Sequence, residues 1–208
     1  MNNHIREIFP TLIYEVEFPN FKEIQNDIFK VILPYFEDTF DERRVDYFSG
    51  SEIKMRSTKF HLHKDPKLQQ VVDFIETHCN EYWKMCGYTS KIDPYITVMW
   101  ALLTNNGGFT ASHNHNPWPI GGSFYIDADS NTGDLFLENP LEMLLGKQPV
   151  EIDGPTIYTE RIKVKSGKLV LFPGWMRHHS QVNKTQTERM VLGFVAGSHL
   201  DSKPKEQI

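Results

Sequence analysis

The chain has 208 residues, of which 39% are hydrophobic, 12% aromatic and 24% charged, with a formal net charge of -5 at pH 7. That length suits one core of useful size, the composition is globular rather than disordered, and the acidic balance excludes a general nucleic-acid surface, which needs clustered Lys and Arg. No apolar run approaches the roughly 20 residues that cross a bilayer, and the opening MNNHIREIFPTLIYEVEF has no basic-then-apolar signal pattern, so a cytoplasmic protein without membrane contact is expected.

TLIYEVEF alternates loosely and predicts a first strand. NFKEIQNDIFKVILPYF carries Phe21, Ile24, Ile28, Val31 and Ile32 at helical spacing, with Asn20 as N-cap and Pro34 as the stop. DPKLQQVVDFIETHCNEYWKMCGY predicts the clearest helix, from Asp65 at the cap and Pro66 in the first turn to Gly87 at the end. Cys79 and Cys86 share one face of it, seven residues and therefore roughly 10 Å apart, too far to bridge, which indicates buried thiols in a reducing compartment.

From residue 93 the texture changes. YITVMWALLT, GGSFYIDA, LFLE, TIYTERIKV, LVLF and RMVLGFVAG read as short strands, separated by NNGG, SNTGD, NPLE and KSGK turns. The expected fold is mainly β with N-terminal helices: an antiparallel jelly roll (double-stranded β-helix, cupin-like) with helices on one side and a ligand site at its mouth. One domain over 1–208 is expected, with a strand-and-helix part over 1–92 and the jelly-roll core over 93–200.

The chemistry concentrates in FTASHNHNPWPIGGSFYI. At the start of a strand His113 and His115 would face the same way, into the barrel, with Asn114 outward. Two converging imidazoles call for a metal or an anion between them, and a third ligand must come from elsewhere. GKLVLFPGWMRHHSQVN offers it, where His178 and His179 follow a short aromatic turn. Arg189 opens the last strand, and an arginine buried at a barrel mouth needs a carboxylate, from Glu188 or another acid, or else from a ligand.

Taken together, these motifs resemble the Fe(II)/2-oxoglutarate-dependent oxygenases, and within them a group of oxygenases common in phages and marine bacteria. The resemblance runs from Trp100 to about Phe194: Trp100, Gly107, His113-x-His115, GGSFYI, GDLFLENP, FPGWMRH and ERMVLGF fall in that group's order and spacing. It implies that His113, His115 and His178 hold Fe(II), with His178 the distal ligand. Arg189 would clamp the far carboxylate of 2-oxoglutarate by a bidentate pair, with a further hydrogen bond from Tyr125. The reaction implied is oxidative decarboxylation of the keto acid by molecular oxygen to succinate and carbon dioxide, coupled to hydroxylation of a small-molecule or peptide substrate, peptidyl proline among the possibilities. A phage-encoded member would work in the host cytoplasm. His115 stands where most members have Asp or Glu, which leaves the site one unit more positive. Two alternatives stay open: a three-histidine, cupin-type dioxygenase that needs no keto acid, and a non-catalytic jelly-roll module whose histidines hold zinc or nickel.

Bland readings stand beside these. His61 and His63 form a second H-x-H, read as a solvated strand edge. His179, adjacent to His178, should face the other way. Asp127 shares parity with Tyr125 and is either an inward carboxylate or a solvated loop-edge acid. Trp118 and Trp175 would form an apolar collar that excludes water, Trp100 would be core, and Gly121 and Gly122 mark close approach of a ligand or another backbone. Residues 1–92 and the segment LEMLLGKQPVEIDGPTIYTE would shape substrate choice; the oligomeric state is not indicated.

Overall fold

Strong β-formers with inward and outward residues both apolar demand a sheet covered on both faces, and this is the arrangement found. The structure, a computed structural model, describes residues 10–36, 55–141 and 158–198. A six-stranded antiparallel sheet runs in the order β1-β7-β4-β9-β3-β2, formed by Tyr14–Glu17 (β1), Met55–Ser57 (β2), Tyr95–Thr104 (β3), Ile120–Asp127 (β4), Lys168–Pro173 (β7) and Arg189–Gly197 (β9). A second sheet has the order β6-β5-β8, from Leu135–Glu138 (β5), Thr159–Ile162 (β6) and His178–Ser180 (β8). An isolated antiparallel bridge between His113 and His178 extends β8 by a single residue pair.

The larger sheet separates two cores. Met99, Ala101 and Leu103 of β3, Phe124 and Ile126 of β4, Leu169 and Leu171 of β7, and Met190, Leu192 and Phe194 of β9 pack with the helices. The opposite face brings Tyr125, Val170, Phe172 and Val191 against Leu135, Leu137 and Ile162 of the smaller sheet. Every residue of β9 is buried, as its uninterrupted apolar run requires. The jelly-roll expectation is met: the fold is mostly β, with two α-helices on one side.

The helical segments differ in detail from the periodicity. Gln69–Met85 (α2) follows a 3-10 turn at Pro66–Leu68, with the Asp65 side chain accepting from Lys67 N at 2.9 Å and Gly87 at φ +81 just beyond the end. Before it, the predicted single helix is broken: a 3-10 turn at Phe21–Glu23, Gln25–Ile32 (α1), then a 3-10 turn at Leu33–Phe36 that contains Pro34. Asn20 is left-handed and caps nothing with its side chain. The break coincides with packing: Phe21 is buried beneath the sheet against Phe124, 5.2 Å between ring centroids. Cys79 is buried and Cys86 partly so, both free. Among the described residues no helix is long and apolar enough to cross a membrane. The segment 142–157, most of the stretch expected to shape substrate choice, lies outside the described residues.

The paired glycines of β4 are closely approached by aromatic side chains. A methyl at Gly121 would meet the Phe172 ring at 2.8 Å and His115 at 3.0 Å, and one at Gly122 would drive into the Phe194 ring. Gly122→Ala should therefore destabilise the protein by about 1–3 kcal/mol, the usual cost of overpacking, seen as a lower urea midpoint with an unchanged slope.

Candidate active site

The cavity between the sheets is built by parity. On β3 the residues alternate with the helix-facing ones, so Trp100, Leu102 and Thr104 line it; Ser123 and Tyr125 of β4 and Arg189, Val191 and Gly193 of β9 do the same. The smaller sheet contributes Leu135, His178 and Ser180, and the segment before β4 contributes Thr110, His113 and His115.

At one end three imidazoles converge. Ring centroids lie 4.3 Å apart for His113 and His178, 4.9 Å for His115 and His178, and 5.0 Å for His113 and His115. One ligand atom from each lies within 4.8 Å of the others, a grouping of His, Cys, Asp or Glu with no equal among the described residues. The convergence matches expectation, but its backbone does not. His113 and His115 are not consecutive inward residues of a strand. His113 is fixed by its paired bridge to His178, N to O at 3.0 and 2.9 Å. His115 sits in a turn, its N–H donating to Gly174 O at 2.7 Å and its carbonyl accepting from Trp118 N at 2.9 Å. Gly174 is the residue that permits this, since a methyl there would collide with Trp118 O. The FPGW turn thus seats the second histidine.

Hydrogen bonds choose the tautomers. His113 Nδ1 lies 2.8 Å from Ala111 O and His178 Nδ1 lies 3.0 Å from Met176 O. A carbonyl can only accept, so each Nδ1 carries the proton and each Nε2 keeps its lone pair for a ligand. Burial, reinforced by neighbouring His113, pushes the His115 imidazole down to about 4 and His178 down to about 3. Both are neutral at physiological pH, the form that binds a metal.

At the other end Arg189 is 2% exposed. Its Nη1 donates to Thr132 O at 2.9 Å and Gly133 O at 2.8 Å, with a longer contact to Gln181 O at 3.5 Å, and its Nη2 donates to Ser180 Oγ at 2.8 Å. Nε is buried with no acceptor. Burial lowers its pKa, while the Tyr125 hydroxyl and the Asp134 carboxylate favour its charge. Glu188 is not its partner: that carboxylate faces Arg56 at 3.7 Å. Asp134, fully buried, is itself engaged by Arg161 at 2.7 Å and by Val164 N at 3.0 Å. Tyr125 is buried in the same cavity, and burial raises its pKa, so it stays a donor.

The remaining expectations divide. His179 turns away from the imidazole cluster, with Nδ1 2.9 Å from Glu138 Oε1 and its ring stacked on Phe136. Burial alone would raise Glu138, but hydrogen bonds from Ser112, His179 and Arg177 outweigh it and hold the carboxyl below its usual range. His61 and His63 pair with each other, ring centroids 5.8 Å apart, and neither lines the cavity. Asp127 is exposed, because a register shift between Tyr125 and Asp127 breaks the parity they would have shared. Trp118 and Trp175 do not line the cavity and Trp175 is 41% exposed; the aromatic wall is Trp100, read from sequence as core, which stands 5.6 Å from His115 and edge-on to Phe60. Ser123, Thr104 and Ser180 also line the cavity without having been singled out, although the i, i+2 rule from Tyr125 and His178 points to the first and third directly.

Residues 98–194 match a family model described as "Putative 2OG-Fe(II) oxygenase". By that match, a little under half of the chain is similar to the 2OG-Fe(II) oxygenases. Among solved structures the chain is similar to the non-heme alpha ketoglutarate dependent carbocyclase SnoK from nogalamycin biosynthesis (13% identity, 89% of this chain and 79% of that one, TM-score 0.63). It is similar also to the epimerase SnoN in complex with Fe3+, alpha ketoglutarate and nogalamycin RO (14%, 95% and 88%, TM-score 0.62). A third likeness is HygX from Streptomyces hygroscopicus with nickel and 2-oxoglutarate bound (12%, 91% and 84%, TM-score 0.59). At such identities these likenesses establish the fold. No curated protein matches the chain. Iron and 2-oxoglutarate fit the residues present: three converging imidazoles at one end, and a buried guanidinium whose Nε–H has no acceptor among the described residues at the other.

The two depressed imidazoles make a prediction for the protein stripped of metal by a chelator. An unfolded chain protonates them near 6.5, whereas the folded chain resists protonation until about 4 and about 3. The unfolded state therefore binds more protons as pH falls below about 6.5, and stability is lost from there down to about 3. Urea midpoints at pH 7, 6, 5 and 4 should fall steadily, and His178→Asn should flatten that slope.

Proposed function

We propose that this protein binds Fe(II) through His113, His115 and His178 and takes 2-oxoglutarate as co-substrate. In this reading Arg189 and Tyr125 receive the far carboxylate, and the reaction hydroxylates a substrate with molecular oxygen. The observation that carries the reading is the two-ended cavity: an all-imidazole cluster at one end and, at the other, Arg189 with a buried Nε–H that lacks an acceptor. A dicarboxylate keto acid satisfies both ends at once, chelating at the metal and pairing with the guanidinium. The bound metal supplies the activation of dioxygen and the oxidative decarboxylation of the keto acid. The chain's own part is to position and to exclude water. The Ala111 and Met176 carbonyls fix the His113 and His178 rings, while Trp100 and Phe172 wall in His115. The neighbours described with nogalamycin RO or from nogalamycin biosynthesis favour a small-molecule substrate over a peptide.

Anaerobic addition of Fe(II) and then 2-oxoglutarate should produce a visible metal-to-ligand charge-transfer band. Iron binding without such a band would move the assignment to a three-histidine dioxygenase that needs no keto acid. Arg189→Leu should keep iron and lose at least about thirtyfold in 2-oxoglutarate affinity, since truncating one side of a buried charged pair typically costs about 2–5 kcal/mol. Isothermal titration on the iron-loaded protein measures it, and equal affinity in wild type and mutant would remove Arg189 from the site. His115→Asp should retain iron and His115→Ala should weaken it, read by metal competition with a chromophoric chelator.

A further inference from the structure

Ser180 is a cavity residue with an unfinished hydrogen-bond set. Its Oγ accepts from Thr110 N at 2.8 Å and from Arg189 Nη2 at 2.8 Å. A hydroxyl has two acceptor lone pairs and one donor, so both lone pairs are taken and the proton remains. No group among the described residues accepts that proton. Beside it, Arg189 has spent both Nη1 protons on the Thr132 and Gly133 carbonyls and one Nη2 proton on Ser180, leaving one Nη2–H and the buried Nε–H. Three N–H or O–H donors with no acceptor thus meet at one end of the cavity.

We infer that Ser180 is a co-substrate-binding residue, donating its hydroxyl proton to the far carboxylate of the keto acid beside Arg189. The inference rests on the reading above of a metal-bound keto acid. Its geometry comes from β8: Ser180 is two residues beyond His178 and faces the same cavity. Two residues of strand advance by roughly 6.6 Å, a step comparable to the length of a five-carbon dicarboxylate. One short strand would thus carry the distal metal ligand and a carboxylate donor, at opposite ends of the same co-substrate. The Thr110 N–H and the Arg189 guanidinium, by filling both lone pairs of Oγ, fix which way the hydroxyl can donate.

The test is the charge-transfer titration of iron-loaded protein with 2-oxoglutarate and with 2-oxopentanoate, which has the same carbon count and no far carboxylate. Ser180→Ala should weaken 2-oxoglutarate by about tenfold to a hundredfold, the range for a hydrogen bond to a charged group. It should leave iron and 2-oxopentanoate affinities unchanged, and Ser180→Thr should restore 2-oxoglutarate. If the alanine variant does not fold, Ser180→Cys, of similar shape and a poor donor, should show the same selective loss. Because Ser180 also touches Arg189, the loss must persist in an Arg189→Met background. A loss that vanishes there makes Ser180 a prop for the guanidinium and overturns direct contact, as does equal weakening of both keto acids or no weakening at all. Wild type that binds iron but neither keto acid would overturn the co-substrate reading itself, a result distinct from all of these.

Discussion

A guanidinium held inside a β-barrel is the constraint around which the rest of this molecule is arranged. Burying an unpaired charge is prohibitive, and among the described residues no carboxylate is in direct contact with Arg189. It offers oxygen dipoles instead: the carbonyls of Thr132 and Gly133 and the hydroxyl of Ser180, with the Asp134 charge nearby. These oxygens come from the turn before β5 and from β8, which meet where Leu135 pairs with Ser180, so one side chain of the large sheet ties down one end of the small one. Gly133 is part of that cradle, at φ +105, where a methyl would meet Arg189 Nη1 at 2.7 Å and Gln181 O at 2.6 Å. Dipoles compensate a cation without neutralising it. An anion therefore still gains by entering.

The strand that carries Arg189 also divides the protein's labour. One face of β9 packs against the helices through Met190, Leu192 and Phe194, while the other shows Arg189, Val191 and Gly193 to the cavity. Gly193 is open because Trp100 occupies the space a side chain would need, at 2.8 Å from the position of a methyl. The indole stands 5.6 Å from His115. The helix-side core thus stiffens the sheet from behind, and the metal-side wall inherits that rigidity without being part of that core.

Much of this was legible in the sequence because it depends on local pattern. YITVMWALLT and RMVLGFVAG became β3 and β9 with the expected bounds, and Asp65 and Gly87 marked where α2 enters and leaves. The three histidines were legible as a set because strand parity and the order of motifs limit what can meet. What escaped was whatever depends on distant partners. The His113 and His115 backbone was read as strand, but its shape is set by His178 and Gly174, more than fifty residues away. Asp127 was displaced by a register shift that alternation cannot reveal, and the exchange of roles between Trp100 and the pair Trp118 and Trp175 follows from which ring fills the gap over Gly193. The split of the first helix coincides with the burial of Phe21 against Phe124.

The donor set has an electrostatic consequence that links the two ends of the cavity. On the proposed ligand set of three imidazoles a divalent metal would keep its full charge of two, whereas a carboxylate ligand would remove one unit. A keto-acid dianion then balances the metal alone, and Arg189 is left as a net positive charge in a low-dielectric interior. In the common carboxylate triad the same sum, with the arginine included, closes at zero. An all-histidine site would therefore need its remaining positive charge spread over dipoles, and the carbonyls of Thr132 and Gly133 stand at hydrogen-bond distance from Arg189. The histidine at 115 and the density of oxygen atoms around Arg189 are in this sense one adaptation. A chain that changed the first to a carboxylate would relax the demand on the second.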